Sequence, residues 1–224
     1  MRPVPELPPP LPPEARTVGQ LVAETIRFYG DRFWQVLPLG LAVAVLDQAS
    51  LGQSRAVQIA VLAAGAPLLT LAYARASLLL ASEPVPRRAQ AVALAAGVIV
   101  FLPAAALFGW FALLAIAWLA AFGLVVPVAL YERTGFRETF RRARELGFAD
   151  YVHAAGSLAT LTIVFFLTRL MLFFLLRGQG DVAGRVAAFL TDLVLSPLLF
   201  VGAALLYDDQ RARVGRRNPA HNEV

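Results

Sequence analysis

The chain contains no cysteine and no lysine, and only 16% of its residues are charged. Without cysteine there is no disulfide framework, no thiolate nucleophile and no cysteine-based metal site. The two histidines, His153 and His221, have no carboxylate three or four residues further along a helix, so we expect neither a metal site nor a cofactor. A soluble domain would have nearer a quarter of its residues charged, so the composition excludes an ordinary soluble domain.

The motifs of common enzyme classes are also missing. Neither the nucleophile pattern Gly-x-Ser-x-Gly nor a P-loop or dinucleotide glycine pattern occurs, and the stretch 178–180 is too isolated to indicate either of the last two. The net charge of +5 does not indicate nucleic acid, because the arginines fall in short connections between apolar runs. We therefore expect neither an enzyme nor a nucleic-acid-binding protein.

The longest apolar stretch runs from Ala91 to Tyr131, forty-one residues without one charged side chain. As a single helix it would be about 60 Å long, roughly twice the hydrocarbon thickness of a bilayer, so it should fold back as two spans. The turn is expected near Gly109 and Trp110. Because 58% of the chain is hydrophobic and its mean hydropathy is +0.65, we predict a polytopic integral membrane protein.

The predicted fold class is all-α, with six transmembrane helices and two amphipathic interfacial helices. Apolar runs place the spans at about 34–51, 56–81, 91–108, 111–131, 151–176 and 185–207. The interfacial helices are predicted at about 17–33, which opens with a capping box at Thr17 and Gln20, and at about 135–148. Residues 1–16 are expected to form a disordered proline-rich tail, and residues 208–224 a polar cytoplasmic tail.

The arginines are distributed unevenly between alternate connections. Fifteen of them fall in the two terminal segments and in the second and fourth connections. The opposite side has only Arg55, Arg177 and Arg185. By the positive-inside rule, both termini are predicted to be cytoplasmic.

Ionisable residues inside the predicted spans are the main candidates for function, because an unpaired charge near the bilayer centre costs at least about 2.5–3.5 kcal/mol. Arg169 and Asp192 are almost equidistant from the turn between the last two spans, so they should meet at one depth. Asp47 lies at a similar level. These residues predict an intramembrane charge cluster in the outer half of the bilayer, which either fixes helix register or serves transport.

Two further groups of arginines are predicted to contact lipid. Arg75, near the cytoplasmic end of the second span, is expected to snorkel toward the headgroups. Arg137, Arg141, Arg142 and Arg144 crowd one amphipathic helix, where each arginine near anionic lipid contributes about 1 kcal/mol to membrane binding. The expected partners are therefore the lipid bilayer and anionic lipid headgroups, with a protein partner or a homo-oligomer left open.

Three stretches carry a resemblance to a known family. They read LVAETIRFY at 21–29, PVALYER at 127–133 followed by FRETFRRA at 136–143, and LYDDQRAR at 206–213. The chain after Arg16 thereby resembles the membrane domain of some bacterial glycerophosphoryl diester phosphodiesterases, which stand-alone six-helix proteins share. The resemblance implies a multi-pass protein of the bacterial plasma (inner) membrane. The catalytic barrel of the fused enzymes has no counterpart in these residues, so no catalytic residue is carried over.

Two functions are consistent with these features. The first is a structural or accessory membrane module that organises lipid or partner proteins through the basic helix and the proline-rich tail. The second is a small transporter or permease-like protein that uses the charge cluster, with helices bent at Pro67, Pro103 and Pro197. A transporter requires a water-filled cavity that reaches the cluster, whereas a module should bury these charges against one another.

Overall fold

The computed structural model of the chain describes residues 12–176 and 180–217. Helix accounts for 88% of these residues, and none of them forms a strand, which confirms the all-α prediction for the described part of the chain. The helices in chain order are α1 Val18–Asp31, α2 Phe33–Val36, α3 Leu41–Ser50, α4 Arg55–Ala64, α5 Ala66–Leu80, α6 Arg87–Trp110, α7 Ala112–Phe122, α8 Val125–Tyr131, α9 Phe136–Ala149, α10 Tyr151–Leu175 and α11 Asp181–Arg217. Most of the predicted proline-rich tail, and the predicted polar tail from residue 218 onward, lie outside the described residues.

Five helical segments are long and apolar enough to span a membrane, which indicates a membrane-embedded protein. They are Phe33–Ser50, Arg87–Trp110, Ala112–Tyr131, Tyr151–Leu175 and Val182–Arg216. A sixth candidate arises if α4 and α5 count as one span, although they are bent by 48° at Gly65. A Cβ atom on Gly65 would lie 2.4 Å from the side chain of Leu46, so the missing side chain allows α3 to pack at the bend. Pro67 falls in the first turn of α5, where its missing N–H is tolerated.

The turn between α6 and α7 consists of one extended residue, Phe111, next to the predicted Gly109 and Trp110. Arg55, at the start of α4, holds this turn from the side. Its Nε atom donates to the Gly109 carbonyl at 2.7 Å, and its Nη2 atom donates to the Trp110 carbonyl at 3.1 Å. The same guanidinium lies 5.2 Å from the centre of the Trp110 ring.

Helix α8 lies at the centre of the bundle, with every residue from Val125 to Leu130 buried. Helices also occupy both segments predicted to be interfacial. α1 begins with the expected capping box, in which the Thr17 side chain accepts from the Gln20 N–H and the Gln20 side chain accepts from the Thr17 N–H. α9 packs against the end of α7 so closely that a Cβ on Gly147 would lie 2.6 Å from a backbone carbonyl oxygen.

The last helix differs from the prediction. The last span was expected to end at Tyr207, but α11 continues to Arg217, and Asp209 and Gln210 in the predicted polar tail are fully buried. With 37 residues, α11 is about 55 Å long, well beyond the roughly 30 Å of a hydrocarbon core. The physical reason is that side chains and backbone from other elements bind these polar groups, so the segment packs instead of being solvated.

Candidate functional site

The three charged residues predicted to meet within the spans do lie together. Arg169 on α10 donates from Nη2 to Asp47 Oδ2 at 2.6 Å. Its Nη1 atom donates to both carboxylate oxygens of Asp192, at 3.1 and 3.3 Å. The Asp192 side chain is fully buried, whereas the Asp47 and Arg169 side chains are 21% and 25% exposed. One guanidinium therefore joins α3, α10 and α11. We call Asp47, Arg169 and Asp192 the Arg169 layer.

A close backbone approach brings α11 against the chain that leads into α3. A Cβ atom on Gly40 would lie 2.0 Å from the carbonyl oxygen of Leu193, so only glycine permits this approach. One further contact lies beyond the charged residues, where the Gln48 side chain donates to the Arg185 carbonyl at 3.1 Å. The Arg169 layer is thus held between two contacts that do not themselves depend on charge.

A second charged layer lies on the same α10/α11 hairpin. The buried Asp209 carboxylate accepts from Arg16 Nη1 at 2.7 Å, and its other oxygen lies 3.3 Å from His153 Nε2. We call Arg16, His153 and Asp209 the Asp209 layer. The two layers are sixteen residues apart on α10 and seventeen on α11, which corresponds to about 25 Å of helix. No residue between them on either helix, at 154–168 or 193–207, carries a charge.

The polar residues after Asp209 fix the corner between α9 and α10. Gln210 accepts from the Asp150 backbone N–H at 3.1 Å and donates to the Asp150 carbonyl at 3.0 Å. Arg213 donates to the Asp150 carboxylate at 2.6 Å and to the Arg16 carbonyl at 2.8 Å. A cleft of about 200 Å³ adjoins this corner and is lined by Glu14, Ala149, Asp150, Arg213 and Arg216.

Sequence reasoning missed the Asp209 layer and this corner. Asp209, Gln210 and Arg213 were placed in a polar tail, because hydropathy alone ends the span at Tyr207. Their spacing offered one indication. Residues 209 and 213 are four apart and therefore share a helix face, so a continued helix would direct both toward the same neighbours.

Arg75 lies exposed on α5, five residues before the helix ends at Leu80. The described residues provide it with no ion pair or hydrogen bond. Large apolar side chains on the same helix, Leu68 and Leu71, are also exposed. The position agrees with the geometry that a snorkelling arginine requires.

The four arginines of α9 fall into two pairs, and the first pair is neutralised by glutamates. Arg141 forms ion pairs with Glu138 and, at 2.7 Å, with Glu145. Arg142 is half-buried and lies 3.1 Å from Glu132 and 3.2 Å from Glu145. The hydrogen bond from Arg141 also lowers the pKa of the Glu138 carboxyl below its ordinary value, so this glutamate stays ionised. These two arginines contribute little net charge to the surface.

The second pair is exposed and forms no ion pair within the described residues. Arg144 stands 5.8 Å from the ring centre of Phe148, and Arg137 lies near the start of the same helix. An open cleft of about 980 Å³ runs along this side of α9. Its lining combines three aromatic rings with charged side chains, namely Phe122, Phe140, Phe148, Arg137, Arg141, Arg144, Glu138 and Glu145.

Comparisons of the chain with protein-family models, with curated proteins and with solved structures found no match. The resemblance to the membrane domain of glycerophosphoryl diester phosphodiesterases therefore stays a prediction based on the three stretches quoted above. Within residues 12–176 and 180–217, no three histidine, aspartate or glutamate side chains are grouped so that they could hold a metal ion. The site's chemistry must be inferred from the two charged layers and from α9.

Proposed function

We propose that the chain is a six-span protein of a bacterial inner membrane, in which the bent α4/α5 pair is one span and both termini are cytoplasmic. The spacing of the two charged layers supports this topology. About 25 Å of uncharged helix between them approaches the roughly 30 Å of a hydrocarbon core, with each layer near one boundary. The arginine count favours the cytoplasmic side for the Asp209 layer and for α9, and the outer side for the Arg169 layer.

Within this topology, the function that we propose is that of an accessory membrane module that binds anionic phospholipid along α9. The observation that carries it is the cleft in which two exposed arginines, with no ion pair among the described residues, lie beside three phenylalanine rings. Guanidinium groups bind phosphate oxygens in a bidentate manner, and aromatic side chains favour the interface between headgroups and acyl chains. This combination of cation and ring suits the phosphate and glycerol groups of a phospholipid.

The expected strength is smaller than the sequence suggested. Four arginines at about 1 kcal/mol each would contribute about 4 kcal/mol, but glutamates neutralise Arg141 and Arg142. The exposed pair Arg137 and Arg144 contributes about 2 kcal/mol, so removing both charges should weaken the binding of anionic lipid roughly 30-fold.

The Arg169 layer favours a module over a transporter, because one guanidinium binds both of its carboxyl groups. A substrate path would have to reach Asp192, whose side chain is fully buried.

Lipid binding is tested with the purified full chain by native mass spectrometry, or by titration with fluorescent lipids, comparing phosphatidylglycerol with phosphatidylcholine of the same acyl chains. The double variant R137Q/R144Q should weaken phosphatidylglycerol binding about 30-fold and leave phosphatidylcholine unchanged. A matched control, R185Q/R211Q, removes the same charge from two other exposed positions and should keep the preference. Equal losses in both variants would show that only total charge matters, and an unchanged R137Q/R144Q would refute the site on α9.

A further inference from the structure

The Arg169 layer contains two carboxyl groups and one guanidinium. If both carboxyls were ionised, the layer would have a net charge of −1, with Asp192 completely removed from solvent. A buried charge without a counterion is costly, because the interior cannot replace the solvation that water provides. One further positive charge would make the layer neutral.

No other cation in the described residues forms an ion pair with Asp47 or Asp192. Three other arginines lie on the helices packed against the layer within the described residues before Tyr207, namely Arg185 on α11, Arg55 on α4 and Arg75 on α5. The remaining charged residues of α11 with described side chains begin at Asp208, sixteen residues beyond Asp192. Arg185 is exposed and offers its backbone carbonyl, not its guanidinium, to α3. Arg55 is bound at the α6–α7 turn, and Arg75 lies exposed on the surface of α5.

We propose that Asp47 and Asp192 share one exchangeable proton, so that the Arg169 layer is a neutral proton-binding site. Both carboxyls bind the same guanidinium through neighbouring nitrogens, so they stand side by side, and two adjacent carboxylates disfavour ionising together.

Ser196 lies four residues after Asp192 on the same face of α11, and its Oγ is buried without a hydrogen-bond partner in the described residues, so it binds neither carboxyl of the layer. Releasing the proton forms a second carboxylate and requires no co-reactant.

Infrared difference spectroscopy on the full chain in nanodiscs tests the proposal, because a protonated carboxyl has a C=O stretch that a carboxylate lacks and that shifts in D₂O. We expect the wild type to keep one such carboxyl at pH 7. Both D192N and D47N should abolish this band, since the remaining aspartate is then neutralised by Arg169. R169Q should add a second protonated carboxyl.

Two controls make the result specific. D209N removes a buried carboxyl from the same helix but not from the layer, and should leave the band unchanged. Asparagine has nearly the same shape as aspartate, so these substitutions should preserve packing. Gel filtration and thermal unfolding identify any variant that misfolds. If a variant misfolds, the carboxyl band of the wild type, recorded at several pH values, tests the proposal instead.

Three results would overturn the proposal. They are a wild type without a protonated carboxyl at pH 7, a band that survives both D47N and D192N, and a saturable rise in melting temperature with Na⁺ at fixed pH in place of the band. The last result would assign the layer to a metal cation. None of them depends on whether α9 binds lipid.

Discussion

Replacing Gly40 by alanine should destabilise the protein, whereas replacing Gly19 by alanine should stabilise it. A Cβ atom at position 40 would lie 2.0 Å from the carbonyl oxygen of Leu193 and 2.8 Å from its Cα, all rigid backbone. The chain before α3 must therefore move away from α11. Gly19 lies in the first turn of α1, and a Cβ there would meet nothing within 4 Å. Both substitutions add one methyl group to a glycine in a helical segment. The difference between their effects on stability therefore measures the cost of a side chain at the close approach of Gly40 to Leu193.

The magnitudes have opposite signs. Overpacking typically costs about 1–3 kcal/mol, and backbone atoms can relax less than side chains, so Gly40→Ala should lie at the upper end. Gly19→Ala should raise the free energy of unfolding by about 0.4–1 kcal/mol, because alanine restricts the unfolded chain and favours helix. For a chain of this size, 1 kcal/mol corresponds to about 2–4 °C, so Gly40→Ala should lower the melting temperature by about 6–12 °C.

Thermal unfolding of the two variants in the same detergent, followed by circular dichroism, provides the comparison. Gly30→Ala, at a second unobstructed position in α1, repeats the control. A melting temperature of Gly40→Ala equal to or above that of the wild type would refute the close packing of α11 on this segment, and with it the way in which Asp47 reaches Arg169.

Two further predictions concern the Arg169 layer and the topology. R169D and D192R should each lower expression and melting temperature, because breaking a buried ion pair costs about 3–5 kcal/mol. The double variant R169D/D192R restores opposite charges and should recover much of the loss. A double variant no more stable than the single variants would contradict the pairing. Because the chain has no cysteine, single cysteines can report sidedness, and an impermeant maleimide should label R185C but not R211C in intact cells. Labelling of both from the same side would contradict an antiparallel α10/α11 pair that crosses the membrane.

Hydropathy and charge position predicted much of this architecture. Helix type, the turn at residues 109–111 and the meeting of Arg169 with Asp192 follow from local periodicity and from the symmetry of a hairpin about its turn. The continuation of α11 to Arg217 did not follow. Whether Asp209 and Gln210 are solvated or buried depends on partners from Arg16 and Asp150, which are distant in sequence.

The same limitation applies to the arginines of α9. Sequence spacing places four of them on one helix, but it does not show that Glu132, ten residues before Arg142, folds back to bind it. Nor does it distinguish Arg141, which Glu138 and Glu145 neutralise, from the exposed Arg137 and Arg144. Ion pairing with residues before and within the helix, more than the number of arginines, decides how much net charge this surface carries.

The two charged layers differ in their partners. Each centres on an aspartate with no exposed surface, and in each layer the arginine also approaches a second carboxyl group: Arg16 lies 3.5 Å from Glu24, and Arg169 binds Asp47. Asp209 has His153 as a further partner, and the contacts of its layer join the segment before α1 to α10 and α11. The Arg169 layer is balanced only when it carries one additional positive charge. We therefore propose proton exchange for the Arg169 layer and not for the Asp209 layer, and the contrast between D192N and D209N tests this difference on one helix.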